Sequence, residues 1–223
     1  MTPDDSMYSG KADSYFANPR TEIATLLPQR VDRVLEIGCG SGSTMRWLRN
    51  QRTLQHAIGI ELFSDAAERA TSTFDSVLTG DIETMVLPED KFDLIIALDV
   101  LEHLIDPWSV VARLHSVLRP DGAIVVSLPN VGHYSVSVPL AMRGKWNYAE
   151  DGLLDRTHLR FFTRRTAIDL LTCSGLVMDK IEYVRRGPML RSAMARWYAL
   201  KFLTWMLPRH LFDWQFLIRL KAS

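Results

Sequence analysis

The sequence predicts an α/β domain built on a doubly wound, mostly parallel sheet, and three observations carry that prediction. Short apolar runs of strand length recur at residues 34–37, 56–60, 76–78, 92–98 and 123–128. Stretches of helical spacing follow the first, second and fourth runs, so the order up to Leu128 is β-α-β-α-β-β-α-β. The first run ends in a turn with glycine at every second position, Gly38, Gly40 and Gly42. A sheet of this kind receives its ligand at such a strand end.

Each element has its own signal. A short helix is expected over residues 19–27, from Pro19 at a first turn, Ile23, Leu26 and Leu27 at helical spacing, and Pro28 as a stop. It either covers the sheet or acts as a lid, with Tyr15 and Arg20 near the ligand. After the glycines a helix starts near Ser43, with Ser41 or Ser43 as N-cap. The free N–H groups of that turn favour a polar or negative ligand group. Residues 92–98 form the most apolar run, as suits a central strand covered on both faces. Asp106-Pro107 caps a helix over residues 108–118 with Val110, Val111, Leu114, Val117 and Leu118 on one face. Arg119-Pro120-Asp121-Gly122 then makes a turn. Thr163 caps a helix to Cys173 that Gly175 ends, and residues 176–186 form a sixth strand.

At 223 residues, 47% of them hydrophobic, the chain fits a single domain with a real core. Residues 1–11 are polar and expected to be disordered. The formal net charge of zero gives no case for a nucleic-acid partner. The charge is uneven, however. From Arg185 onward eight basic residues face one acid, Asp213, so that segment carries +7 and the rest −7. Cys39 and Cys173 do not suggest a disulfide framework, and no Cys or His spacing suggests zinc or another metal. With no leader peptide and no run of 18 apolar residues, a cytoplasmic location is expected.

The string Glu36-Ile37-Gly38-Cys39-Gly40-Ser41-Gly42 closely resembles the first motif of class I S-adenosylmethionine (SAM)-dependent methyltransferases. A nicotinamide site would want G-x-G-x-x-G, which is absent. An acid at position 36 suits a ligand bearing an ammonium and a sulfonium. Glu61 ends the second strand 19 residues after Gly42, followed by Leu62. A carboxylate there can accept from both ribose hydroxyls of a nucleoside, or it can simply start the next helix. Gly80-Asp81-Ile82 resembles the family position where an Asp meets the adenine amino group and the next N–H meets the ring, although alone it is a turn. The string from Phe92 through Asp99-Val100-Leu101-Glu102-His103 resembles the fourth motif. There the strand end contacts the methionine part of SAM, which implies Leu98, Asp99 and His103; the plainer role for His103 is a structural hydrogen bond. The resemblance implies a Rossmann-like, seven-stranded sheet, parallel except for an antiparallel last strand, which residues 212–220 can supply, with helical insertions.

Residues 131–162 form a long acceptor-side loop after the fifth strand. Within it, Asp155-Arg156-Thr157-His158-Leu159-Arg160-Phe161-Phe162-Thr163 resembles a D-R-T-H-x-R-x-F-T motif of a bacterial methyltransferase group associated with surface-polysaccharide and glycolipid assembly. Either Asp155, Arg156 and Arg160 brace one another, or His158 or His133 faces an acceptor hydroxyl. Transfer to a hydroxyl is helped by a general base, and histidine has a suitable pKa. The nominated catalytic residues are therefore His158, then His133, with Asp155 as orienter. The expected reaction is methyl transfer by in-line displacement to an oxygen of a small molecule or of a glycan or glycolipid intermediate. A quinone-type phenol acceptor and a non-catalytic SAM-binding subunit are the rivals. Residues 187–210 read as a helical insertion. It packs on the domain or on a second copy in a homodimer, or it carries the basic segment to the inner face of a membrane.

Overall fold

The computed structural model describes residues 18–186 and 209–222. The apolar runs become β1 (Arg33–Ile37), β2 (His56–Glu61), β3 (Ser76–Thr79), β4 (Phe92–Leu98) and β5 (Leu118–Pro129), followed by β6 (Leu176–Arg185) and β7 (Asp213–Ala222). The helices between them are α1 (Ser43–Gln51), α2 (Ser64–Ala70), α3 (Pro107–Ser116), α4 (Tyr134–Arg143) and α5 (Arg164–Thr172). The seven strands form one sheet in the order β3-β2-β1-β4-β5-β7-β6. The first five pair in parallel, and β7 runs antiparallel to both β5 and β6.

Successive residues of a strand face opposite sides of a sheet, and the central strands are apolar on both. On β4, Ile95 and Ala97 join one core with Leu35, Ile37, Ile124 and Val126, while Leu94 and Ile96 join the other with Val34 and Val125. Leu94, Ile95 and Ile96 are fully buried, and each such side chain contributes roughly 1.5–3 kcal/mol relative to exposure. This two-sided burial makes the sheet a rigid platform and leaves its strand ends to carry the polar groups.

Four expectations need correction. The leading helix is a 3-10 turn, Thr21–Leu26, with Ile23 and Leu26 buried and no side-chain cap at its start. Helix α1 begins after Gly42 in a left-handed conformation, with no side-chain cap from Ser41 or Ser43. Residues 119–122 belong to β5, as an irregularity where Phe92 pairs with Leu118 and Leu94 with Ala123. Gly122 is needed there, because a Cβ would sit 2.9 Å from the Phe92 carbonyl. Helix α4 is absent from the sequence reading. Pro139 interrupts its pattern, and only Val136 is buried, so it shows no apolar stripe. The expected disorder of residues 1–11, Tyr15 and most of the 187–210 insertion lie outside the described residues. At the end of that insertion, Arg209–Phe212 is a 3-10 turn leading into β7.

Candidate active site

Strand order reverses beside β1, and a cleft of about 630 Å³ opens there at the carboxyl ends of the parallel strands. The glycine turn forms its floor. Gly38, Gly40 and Gly42 have φ of 64°, 53° and 80°, values that favour glycine. A Cβ on Gly38 would lie 2.6 Å from Val100 Cγ2. The amides of the turn are used internally, which corrects the expectation of free donors. Gly38 N and Cys39 N donate to the Ile60 carbonyl at 2.8 and 3.2 Å, and Gly42 N donates to the Cys39 carbonyl at 2.9 Å. Gly40 N donates to Glu61 Oε2 at 2.8 Å.

Three carboxylates stand around this turn. Glu61, 4% exposed, also accepts from Phe63 N at 3.1 Å; burial raises its pKa while the backbone amides of Phe63, Gly40 and Leu62 oppose the shift. Glu36 is equally buried, and its Oε2 has no hydrogen-bond partner. Burial first, and the neighbouring Glu61 second, push its pKa up to about 8. Asp81 accepts from Glu83 N at 2.8 Å, and Gly80 beside it leaves open space. Leu62, Ile82 and Leu98 complete this wall. Cys39 lines the cleft too, but its thiol is buried in the core, where burial raises its pKa well above the ordinary thiol value. Gly42 is not on the wall. A Cβ there would press on Thr73 and Phe74, so it serves the packing of α1.

The end of the cleft at Asp99 is closed by a network the sequence reading found only in part. Asp99 has φ 54°, the single non-glycine with positive φ among the described residues. Its amide donates to Ser127 Oγ at 2.9 Å, and Ser127 Oγ donates to its Oδ1 at 2.8 Å. Arg20 and Gln215 both hydrogen-bond the Asp99 carboxylate, and Arg20 Nη2 donates to Gln215 Oε1 at 3.0 Å. Arg20 thus reaches the ligand side as a lid residue would, whereas Gln215, Trp214 and Arg186 had no signal beyond lying in the last strand or just after β6. Arg186 stacks over Trp214 at 4.3 Å, and both line the cleft with Asp151.

The nominated catalytic residues stand back from the wall. His133 is 1% exposed; Nδ1 lies 2.8 Å from Ser135 Oγ, and Nε2 lies 2.9 Å from the Arg186 carbonyl. It caps α4 and packs its ring against Trp214, and burial lowers its pKa. Asp155 accepts from Thr157 N and Oγ1 at 2.9 and 2.7 Å, shaping the D-R-T-H turn. Arg156 pairs instead with Glu150, and Arg160 reaches the Ile105 carbonyl. His158 is buried behind His103, their ring centroids 4.8 Å apart, and His103 itself lines the cleft. His158 Nε2 lies 4.0 Å from Glu102 Oε1. Glu102, 1% exposed, is the residue overlooked in the Asp99–His103 string, and burial first and Asp99 second raise its pKa.

A model of a methyltransferase domain family matches residues 11–181. The chain belongs to that family, and it carries a SAM-dependent methyltransferase domain with the Rossmann-like sheet described above. It is 30% identical over 116 residues to the 27-O-demethylrifamycin SV methyltransferase of Amycolatopsis mediterranei, covering 47% of this chain and 41% of that one. It is 32% identical over 103 residues to the ubiquinone biosynthesis O-methyltransferase of Bradyrhizobium diazoefficiens, covering 44% and 40%. The match thus spans less than half of these relatives' length. In fold it is similar to the crystal structure of a SAM-dependent methyltransferase from Mesorhizobium loti, with TM-score 0.62, 18% identity and coverage of 95% and 98%.

The cleft fits SAM. A buried, unpartnered carboxylate oxygen on Glu36 suits a cationic group. The absence of a side chain at Gly38 makes room for Val100, which lines the same cleft.

Proposed function

We propose that the chain is an O-methyltransferase that acts on a small molecule or on a glycan or glycolipid intermediate. SAM supplies a methyl already activated by its sulfonium, and the acceptor oxygen displaces sulfur in line, so the protein's share is mainly positioning. Glu36 holds the ammonium, Glu61 the ribose hydroxyls, and Asp81 and Ile82 the adenine. Leu98 and Asp99 bound the methionine end, and Arg20 and Gln215 hold Asp99 in place. The observation that carries this reading is the cleft itself, which gathers Glu36, Glu61, Asp81, Asp99 and His103 from four separate chain segments.

Oxygen is favoured as acceptor atom because two relatives are named for O-methyl chemistry. The acceptor enters between His103 on one side and Trp214 and Arg186 on the other, and its proton leaves on the side walled by His103 and His158. His133 and Asp155 act as positioning residues, since their polar atoms engage Ser135, Arg186 and Thr157. No helix among the described residues is long and apolar enough to cross a membrane, so contact with a bilayer would be peripheral.

The test is calorimetric binding of SAM and S-adenosylhomocysteine, followed by transfer of labelled methyl to a panel of sugar hydroxyls, glycolipids, phenols, amines and thiols. Micromolar cofactor binding and a base-stable methyl ether product are expected. Label appearing only in amines or thiols would sink the oxygen assignment.

A further inference from the structure

We infer that Glu102, His103 and His158 form a binding site for one divalent first-row transition ion at the acceptor end of the cleft. Its use rests on the oxygen-transfer reading; its existence does not. One ligand atom from each of the three residues lies within 4.8 Å of the other two. Glu102 is 1% exposed, and its Oε2 has no hydrogen-bond partner. A buried oxygen left in that state costs about 1–3 kcal/mol, or more when charged, and a bound cation removes the penalty.

The histidines are prepared in a complementary way. His103 Nδ1 faces the Thr157 carbonyl at 3.0 Å, and His158 Nδ1 faces the Leu153 carbonyl at 3.3 Å. A carbonyl only accepts, so each Nδ1 carries the proton and each lone pair sits on Nε2. Backbone carbonyls orient metal-binding imidazoles in this manner. The frame is also stiff, because Leu159 N and Arg160 N both donate to the Glu102 carbonyl at 2.9 Å. That pair of bonds ties the segment after the D-R-T-H turn to the 3-10 turn Leu101–His103.

Two imidazoles and one carboxylate suit zinc, cobalt, manganese or iron better than magnesium or calcium. Ion–ligand bonds of about 2.0–2.2 Å place neighbouring ligand atoms roughly 3.3 Å apart, so the three groups need to close by only about 1–1.5 Å. Three protein ligands leave a coordination position for an acceptor oxygen, and His103 brings the site to the cleft wall. Coordination lowers the pKa of the acceptor hydroxyl, whose proton passes to solvent. The new C–O bond then forms as the C–S bond breaks, and sulfur keeps the electron pair, so no oxidant or reductant is required.

The experiment titrates chelator-stripped full-length protein with Co²⁺ alone, read by visible d–d absorption and by metal analysis. One Co²⁺ per chain is expected, with Kd tighter than about 10 μM. His103→Gln and His158→Gln should weaken it by at least roughly tenfold. Glu102→Gln, isosteric in its buried setting, is the third variant, and circular dichroism with a thermal melt verifies that each variant is folded. Wild-type protein that binds SAM and takes up no Co²⁺ overturns the site. Uptake equal in all three variants and wild type overturns it too. Co²⁺ uptake without SAM binding keeps the ion site and sinks the transferase reading, so the two failures are distinct.

Discussion

The two walls of the cleft are built by different means. The wall proposed to hold the cofactor takes Glu36, Glu61 and Leu98 from the last or next-to-last positions of three parallel strands, and its remaining groups from the turns that follow immediately. The wall proposed to face the acceptor takes His103 from the 3-10 turn Leu101–His103, Asp151 from a long loop, Arg186 from beyond β6, and Trp214 from an antiparallel strand. On the first wall, once the sheet forms, a residue's place in the chain sets its place in space. On the second, contacts between segments far apart in sequence do so; the Asp99–Gln215 hydrogen bond joins residues 116 positions apart. The first wall is therefore the more recognisable from sequence, and the second is the kind of loop-built surface that varies most readily.

The largest break of this contrast should come from Glu61. Its carboxylate ties β2 to the glycine turn through Gly40 N and stands where the ribose is proposed to bind. Hydrogen bonds to charged groups are worth about 1.5–3 kcal/mol each, so Glu61→Ala should weaken SAM binding roughly 100-fold by calorimetry. An unchanged Kd would remove Glu61 from the cofactor wall.

Gly38→Ala comes next. The substitution forces a Cβ against Val100 and an unfavourable φ. A loss of about 1–3 kcal/mol is expected, read as a fall in Tm of roughly 3–10 °C. Trimming the obstacle with Val100→Ala should return part of the loss. If the double variant is no better than the single one, the clash is not the cause.

Glu36 should make cofactor affinity depend on pH. Its pKa is pushed up to about 8 without ligand, and a bound ammonium favours the ionised form, so binding below that pH releases a proton. Affinity should rise as pH increases from 6.5 to 7.5, by up to about tenfold, and level off near 8. The sign reverses for stability without ligand. A carboxyl whose pKa is raised on folding binds more protons folded than unfolded, so its contribution is lost as pH rises through that range. Glu36→Gln should flatten both profiles; a slope that persists in the variant belongs to another group.

The smallest effect should come from the acceptor side. Gln215→Ala removes one of the groups holding Asp99, and a several-fold loss in kcat/KM is expected, about 1 kcal/mol. Combined with Arg20→Ala, the losses should be non-additive, because the two side chains share Asp99 and each other. Strict additivity would mean that the network does not act as a unit.

Much of the cleft's lining was legible in advance. Glu36, Gly38, Gly40, Glu61, Asp81 and Asp99 were read as site residues, and the structure places them around one cleft. Gly42 was read as part of the wall and serves helix packing instead. Legibility was lower in the polar-aromatic loop, where residue type does not give depth. His133 and His158 stand in the densest polar-aromatic stretch, yet both are buried, with ring nitrogens facing backbone carbonyls. Helix α4 escaped notice because its apolar residues Val138, Leu140 and Met142 face solvent, so burial never imposed a 3.6-residue period.

By itself the sequence determined the strands, their order along the chain and the chemistry at their carboxyl ends. Those depend on apolar runs and turn residues whose preferences are local. Only the tertiary structure decided that β7 lies between β5 and β6, bringing Trp214 and Gln215 to the cleft. It also decided that Glu102 and His158, 56 positions apart, meet at 4.0 Å behind His103. Such meetings depend on how separate segments bury against one shared core, and a single chain pattern does not encode that closure locally.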